Sequence, residues 1–232
     1  MVKFSAKGGA VMTLSQKEIK TITKNELFLN YSEETLQKAL VFMSAKTGEY
    51  KKGECLCRAG RRLYSFGLVL GGAVQVFFDD INGDRVIMAT VGEGETFGES
   101  LCYLKEKNVP VWVYASENAK ILWLSCDCFH SNVCAHPDLQ QLYSRFTAMI
   151  AKKTLSMNDR VQILSKLTLR EKLNTYFSQC VRKNKSRTFK IPLDRESLAI
   201  YLGTNRSALS RELSKMQKEG LIEFYKNVFK IL

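Results

Sequence analysis

The 232-residue sequence has few histidines, few prolines and no long apolar run. Its two histidines, His130 and His136, lie outside the segments that resemble β-strands. A cupin-type metalloenzyme needs several histidines and a carboxylate inside its barrel, so this shortage argues against that class. No segment approaches the length of a transmembrane helix, and the opening residues MVKFSAKGGAVM lack the apolar stretch of a secretion signal. We therefore expect a cytoplasmic protein without a membrane partner.

Acidic residues are scarce in one part of the chain only. Residues 152–232 contain 18 Lys and Arg against 7 Asp and Glu, whereas residues 1–151 contain 17 and 16. Nearly all of the net charge of +12 therefore lies in the C-terminal third. Such a segment suits a phosphate-binding surface, because neutralising phosphates releases counterions. The sequence contains no G-x-S-x-G motif and no Walker loop, so we do not expect an enzyme.

The basic segment contains a two-helix pattern in DRESLAIYLGTNRSALSRELSKMQKEG. Asp194 and Asn205 are good N-caps for the two helices, and Gly203 suits the turn between them. In the second helix Leu209, Leu213 and Met216 share one face. The opposite face carries Ser207, Ser210, Arg211 and Ser214. This division predicts a helix that packs by one side and enters a DNA groove by the other.

After Gly220 the sequence LIEFYKNVFKIL alternates around Lys226-Asn227 and predicts a two-stranded wing. We therefore predict a winged helix-turn-helix domain over residues 168–232. An αα-hairpin within a larger helical domain would fit the caps but would leave the charge asymmetry unexplained. The predicted contacts to double-stranded DNA are Arg195, Thr204, Asn205, Arg206, Ser207, Ser210, Arg211, Lys215 and Lys226.

Residues 48–124 have a different pattern, with short apolar runs separated by Gly, Asn and Asp. Such runs predict an antiparallel β-roll, and Asn82-Gly83 is the best hairpin turn. We place an N-terminal tail at residues 1–24 and the roll at residues 25–134. The fold class is therefore α+β.

A long helical pattern joins the two parts and forms residues 135–167. We expect Leu142, Phe146, Met149 and Ile150 to form the seam of a homodimer, because this apolar stripe exceeds what one small domain needs. The alternative is a helix that packs only across its own roll. At Thr168 a capping box with Glu171 predicts a hinge and a new helix through about Val181.

This order of roll, long helix, hinge and winged helix-turn-helix resembles the CRP/FNR family of bacterial transcription regulators. The resemblance extends from about residue 28 onward. Its most specific pieces are Gly71-Gly72-Ala-Val, Gly94-Glu-Thr-Phe-Gly98-Glu99 and the block from Arg195 to Leu232. The resemblance implies an allosteric homodimer that binds a near-palindromic operator, contacts RNA polymerase and responds to a small effector.

The sensor departs from the family pattern. In members that bind cyclic AMP, a Gly-Glu pair is followed ten residues later by Arg-Ser, which holds the cyclic phosphate. Here Gly98-Glu99 is present, but Val109 and Pro110 stand at the Arg-Ser positions. We therefore expect an unknown effector that is not a cyclic nucleotide. The implied effector site is Gly98, Glu99, Ser100, Tyr103, Val109, Pro110, Trp112 and Thr154. Glu99 fits equally a ligand contact or a residue that holds the turn.

Seven cysteines offer other sensing chemistry and leave the cofactor unknown. The FNR branch holds an iron–sulfur cluster through N-terminal cysteines, yet no cysteine precedes Cys55 here. The spacing Cys126-x-Cys128-x5-Cys134 is not a common cluster or zinc pattern, so we expect no metal. Thiol redox sensing, iron–sulfur sensing and a cyclic-nucleotide response stay open as alternatives. His130 and His136 lie near the start of the long helix and are poor candidates for haem ligands.

Overall fold

The computed structural model describes residues 2–5, 11–79, 85–130 and 137–232. The chain divides into two compact units, Met1–Ala151 and Lys152–Leu232. The division lies inside the long helix rather than at either of its predicted ends, so each unit includes part of that helix.

The first unit is built on antiparallel strands. In chain order they are β1 (Val2–Ser5), β2 (Val11–Leu14), β3 (Lys46–Tyr50), β4 (Cys55–Cys57), β5 (Ser65–Gly71), β6 (Val74–Asp79), β7 (Arg85–Val91), β8 (Thr96–Phe97), β9 (Trp112–Ala115) and β10 (Ala119–Ser125). Two four-stranded sheets have the orders β3-β10-β5-β8 and β4-β9-β6-β7. The predicted β-roll is confirmed.

Strands β6 and β7 form the hairpin that the sequence predicts. They pair antiparallel, with Asp79 opposite Arg85 at the end of the ladder. The predicted turn residues Asn82 and Gly83 lie outside the described residues. The turn between β5 and β6 requires glycine. Gly72 in this turn has φ of +76°, and a Cβ there would lie 2.2 Å from the carbonyl oxygen of Asn118. Only glycine fits such a close approach of two backbones.

Helices cover one side of the first unit. They are α1 (Gln16–Lys24), α2 (Glu33–Phe42), α3 (Glu99–Tyr103) and the start of α4 (Pro137–Leu164). The prediction of a tail at residues 1–24 is wrong, because Leu14 and Ile22 are fully buried in the core of this unit. Ser15 and Glu18 form a capping box at the start of α1, which the sequence analysis missed.

The first half of α4 packs on its own roll. Leu142, Phe146 and Met149 are at most 4% exposed, and Ile150 packs against the same core. The Phe146 ring lies 5.8 Å from that of Phe66 and 4.7 Å from that of Phe129, measured between centroids. The predicted dimer seam therefore needs correction, since these side chains already lie in the core of a single chain.

The second unit is a three-helix domain with a small sheet. Besides the end of α4 it contains α5 (Leu169–Asn184), β11 (Thr188–Lys190), α6 (Arg195–Tyr201), α7 (Arg206–Lys218), β12 (Ile222–Tyr225) and β13 (Val228–Ile231). The sheet order β11-β13-β12 confirms the two-stranded wing and adds a third strand. Phe177, Phe189 and Phe229 pack at the centre of its core. Helix α5 ends three residues beyond the predicted Val181.

Candidate functional site

Helix α7 is fixed to the second unit by one face. Asn205 caps it, with its Oδ1 accepting a hydrogen bond from the amide of Ala208 at 2.8 Å. Leu209, Leu213 and Met216 are at most 1% exposed and lie in the core of the unit. Both features follow the sequence prediction, because caps and apolar spacing are local properties of the helix.

The opposite face of α7 is exposed and basic. Its exposed side chains are Arg206, Ser207, Ser210, Arg211, Ser214, Lys215 and Lys218. The last five of these line a shallow concavity of about 440 Å³. Short hydroxyls between long cations allow a nucleic-acid backbone to approach the helix closely, and the cations supply charge for its phosphates.

The turn before α7 is held by backbone hydrogen bonds. Gly203 has φ of +65°, and the amide of Thr204 donates to the carbonyl of Ala199 at 2.9 Å. Lys172 of α5 donates from Nζ to the carbonyl of Leu202 at 3.2 Å. These contacts fix the angle at which α7 leaves α6.

Asp194 caps α6 by accepting from the amide of Ser197 at 2.8 Å. That backbone hydrogen bond lowers the pKa of the Asp194 carboxyl below its usual value. The cap is therefore charged at neutral pH, as a helix N-terminus favours.

Arg170 of α5 pairs with the acidic residues of α7, and the sequence analysis missed it. Its Nε lies 2.6 Å from Oε1 of Glu212, and its other guanidinium nitrogens bond Glu219. The hydrogen bonds to Glu219 and Glu212 raise the pKa of Arg170, and Arg170 lowers the pKa of Glu219. Both carboxylates thus lie against one guanidinium of α5, which offsets one of their two negative charges. A periodic pattern within α7 gives no signal for this contact, because the partner lies 42 to 49 residues away.

Arg195 does not lie in the position that we expected for a DNA contact. Its guanidinium carbon lies 4.9 Å from the ring centroid of Phe224 and 5.0 Å from that of Phe229. One of its terminal nitrogens donates to the carbonyl of Lys226 at 2.9 Å, and its Nη1 is buried. Desolvation lowers the pKa of Arg195. Arg195, at the start of α6, therefore packs against strands β12 and β13 of the wing.

Lys226 lies at the tip of the wing. It is exposed and has φ of +50°, while Tyr225 and Val228 on either side of the turn pair with each other. The exposed cation therefore projects from the end of a short, firmly paired hairpin.

The loop around Gly98 begins α3. Gly98 has φ of +80°, and a Cβ there would lie 2.5 Å from Cδ2 of Leu63. Glu99 is 6% exposed, whereas Ser100 is exposed. The segment before β5 thus packs directly against the Gly-Glu pair.

Val109 and Pro110 differ in burial. Val109 is fully buried in the core between the sheets, and Pro110 is exposed. The amide of Gly60 donates to the carbonyl of Val109 at 2.8 Å, and the amide of Val109 donates to the carbonyl of Arg61. The fold therefore brings the arginines of residues 58–62 beside this segment. Residues 58–62 lie far from Val109 in the sequence, so no local pattern indicated that they are neighbours in the fold.

The aromatic residues predicted to wall an effector pocket lie on different elements. Tyr103 packs beside α4, where its hydroxyl lies 3.1 Å from that of Tyr143. Trp112 lies on β9 of the second sheet, stacks on Tyr114 and donates from Nε1 to Asp79 at 2.7 Å. Thr154 is exposed on the part of α4 that belongs to the second unit. The structure groups Glu99, Ser100 and Tyr103 on α3 but places Trp112 on a separate strand.

Two buried thiols influence each other at α3. Cys102 and Cys126 are buried in one core, and a hydrogen bond from the Cys126 thiol lowers the pKa of Cys102. Burial raises the pKa of Cys128 to about 12.

Cys134 and His136 lie outside the described residues. His130 stacks on the Tyr103 ring and donates from Nε2 to its carbonyl at 2.9 Å.

Neither a cluster of metal ligands nor a membrane-spanning helix is found in the part of the chain that the structure describes. No three His, Cys, Asp or Glu side chains there are placed to hold a metal ion. None of the helices described has the length and apolar character to cross a bilayer.

Both units match known protein families. Residues 47–132 match the cyclic nucleotide-binding domain, and residues 161–232 match the Crp-like helix-turn-helix domain. This chain belongs to the CRP/FNR family. CRP/FNR proteins are DNA-binding transcription regulators that typically form dimers, and the matches confirm the resemblance seen in the sequence.

Several CRP/FNR proteins are similar along most of the chain. The cAMP-activated global transcriptional regulator CRP of Pasteurella multocida is 20% identical over 178 residues, or 75% of this chain and 84% of that protein. The transcriptional activator FnrA of Stutzerimonas stutzeri is 24% identical over 178 residues, or 75% and 71%. The solved structure of a candidate cyclic-nucleotide-binding protein of Ruegeria pomeroyi matches with a TM-score of 0.54 at 18% identity, covering 94% of each chain. This last likeness supports the fold.

Proposed function

We propose that this CRP/FNR protein is a cytoplasmic homodimer that binds a near-palindromic operator through α7. The observation that carries the proposal is the division of α7 into a fully buried apolar face and an exposed basic face. Its acids Glu212 and Glu219 both pair with Arg170, which offsets one of their two negative charges and so weakens their opposition to phosphate binding. RNA polymerase contact follows from the family resemblance alone.

Base readout is assigned to the first turns of α7. Arg206 and Arg211 are exposed there and can each pair with guanine O6 and N7, while Ser207 and Ser210 make short contacts. Thr204 and Asn205 lie at the helix start, and Lys215 and Lys226 are assigned to phosphate contacts. An electrophoretic shift assay at varied salt tests this proposal. We expect affinity for a selected site to fall steeply with salt, and salt-independent binding would contradict it.

Dimerisation is assigned to the second half of α4. Leu155, Met157, Val161 and Leu164 are 64%, 68%, 64% and 41% exposed in the single chain. Met157, Val161 and Leu164 follow at i, i+4 and i+7, so they share one helix face. Covering such side chains is favourable at about 25 cal/mol per Å² of apolar surface. Two copies joined here would present their α7 helices to half-sites about 34–36 Å apart.

Sedimentation tests the seam directly. Met157→Glu with Val161→Glu should yield monomers, because charge would be buried at the joint. The matched control, Gln140→Glu with Gln141→Glu, places equal charge on exposed positions of the same helix and should leave the dimer intact. A dimeric Met157→Glu, Val161→Glu protein would place the interface elsewhere.

The roll is assigned a small effector other than a cyclic nucleotide. Val109, at the position where cyclic-AMP-binding members place arginine, is fully buried and apolar. The effector must bind the DNA-competent arrangement more tightly than the other, since equal affinity shifts no population. Calorimetry with cyclic AMP and cyclic GMP should show no tight binding. Micromolar affinity that is lost in Glu99→Ala would restore nucleotide sensing.

Thiol redox sensing is a second candidate because Cys102 and Cys126 are buried in the same core and each shifts the pKa of the other. Hydrogen peroxide would oxidise the two thiols to a disulfide and be reduced to two water molecules, which take up the two thiol protons. Peptide mass spectrometry after peroxide treatment should then find the Cys102–Cys126 crosslink, with Cys126→Ser as control. Unchanged thiols would leave the small effector as the sole signal.

A further inference from the structure

The second unit contains a cavity that lies outside the α7 surface. Its volume is about 690 Å³, within the range of small-molecule sites. The end of α4, helix α5, the segment after β11 and the last residue of α6 each contribute to its wall. The lining residues used below are Asp159, Tyr176, Cys180, Lys183, Lys190 and Tyr201.

Aromatic rings form part of the wall. The Tyr176 and Tyr201 rings lie 5.6 Å apart at an interplanar angle of 59°, and the guanidinium carbon of Arg160 lies 5.4 Å from the Tyr201 centroid. Ile191, Pro192 and Leu193 extend this apolar surface. A planar ring could pack against such a wall with little loss of side-chain entropy, because the tyrosines are already held.

The charge of the cavity is positive. Lys183 and Lys190 line it and are exposed. Its acidic residue, Asp159, is paired with Arg182 at 3.2 Å. Among the lining residues that the structure describes, the positive charge of the two lysines therefore exceeds the negative charge, and an anionic group is the complementary ligand chemistry.

We propose that this cavity binds a small anion that carries a planar apolar ring. Such a ligand would contact α4, α5 and α6 together and so tie the seam helix to the helices that support α7. Its effect on DNA affinity rests on the function proposed above, whereas its binding does not. The site is separate from the roll, since its residues belong to Lys152–Leu232.

The test uses the full chain and anilinonaphthalene sulfonate, an aromatic anion whose fluorescence rises on binding. Titration gives the affinity, and protection of Cys180 from iodoacetamide reports the location, because this half-buried thiol lines the cavity. Burial raises the pKa of Cys180, so alkylation is measured at mildly alkaline pH. Cys180→Ser identifies the labelled peptide.

The charge variant is Lys183→Glu with Lys190→Glu, and the matched control is Lys166→Glu with Lys185→Glu, two exposed lysines outside the cavity. We expect saturable binding, protection of Cys180 and an affinity about tenfold weaker in the cavity variant only. Circular dichroism confirms that both variants fold.

Three results would overturn the proposal. These are binding without protection of Cys180, equal weakening in both variants, or Cys180 labelling that rises on dilution and ignores the probe. The last would show that a second copy covers the cavity. All readouts are made without DNA, so their failure would leave the operator-binding test unaffected.

Discussion

Helix α7 and the loop from Gly98 to Pro110 differ in how closely they follow the CRP/FNR pattern. In α7 the buried leucines and the exposed cations both occupy the positions that a DNA-reading helix needs. In the loop Gly98 and Glu99 are present, but Val109 is part of the core. The fold of the roll is therefore kept while one position differs in chemistry, since the core holds an apolar residue where cyclic-AMP-binding members place a charge.

The largest expected effect is on stability and comes from the first half of α4. A change there tests whether this half packs in the core of a single chain rather than at a dimer contact. Phe146→Ala should destabilise the first unit by about 3–5 kcal/mol, because it removes a ring from a fully packed core. Denaturant unfolding followed by far-UV circular dichroism measures the change. Met157→Ala on the exposed part of the same helix serves as control, measured at a concentration where the chain is monomeric. Equal effects of the two changes would contradict the assignment of Phe146 to the core.

The next effect concerns the exposed face of α7. Arg206→Ala and Arg211→Ala should each weaken binding to the selected site by about 1–3 kcal/mol and relax base preference at one position. Fluorescence anisotropy with single-base variants of the site provides the measurement. Lys218→Ala, on the same face but farther along the helix, should weaken all sequences alike. If the two arginine changes weakened binding to all site variants equally, the arginines would contact phosphates rather than bases.

The cap of α7 should have a smaller effect. Asn205→Ala removes the acceptor of the Ala208 amide and should cost about 1 kcal/mol of stability in the second unit. Asn205→Ser keeps a capping oxygen and should retain most of that stability. Thermal unfolding of the two variants compares them. Identical melting of Asn205→Ala and the wild type would show that the cap is not stabilising.

The smallest effect is the pH dependence of the contact between α5 and α7. Arg170 holds the pKa of Glu219 below its ordinary value of 4.5, so the folded state favours the charged carboxylate. This stability is present above the ordinary pKa and is lost as pH falls through the lowered one. NMR titration should show the Glu219 pKa rising toward its ordinary value in Arg170→Ala. An unchanged Glu219 pKa in that variant would exclude the pairing.

Local features were predictable from the sequence, and long-range partners were not. The caps at Asp194, Asn205 and Thr168 depend on residues three positions away, and all three are present. The contact of Arg170 with Glu219 depends on how α5 meets α7, which no periodicity encodes. The inward position of Arg195 has the same origin, because its partners Phe224 and Phe229 lie on the wing.

The apolar stripe of α4 shows a different kind of ambiguity. Its spacing predicts a buried face along the whole helix, but it does not say which surface covers each part. The structure buries Leu142 and Phe146 against the roll and leaves Met157 and Val161 exposed. The sequence did not predict strand β11. The strand has three residues and buries only Phe189, so it is too short to show a period-two pattern.

The central claim is that the exposed face of α7 reads DNA sequence. Selection of bound sequences from a random duplex pool tests it most directly, with the wild type and the double variant Arg206→Ala, Arg211→Ala run in parallel. We predict a near-palindrome whose half-sites are about 34–36 Å apart, with guanine positions that the double variant no longer enriches. An identical motif from both proteins, or no motif from the wild type, would contradict the account.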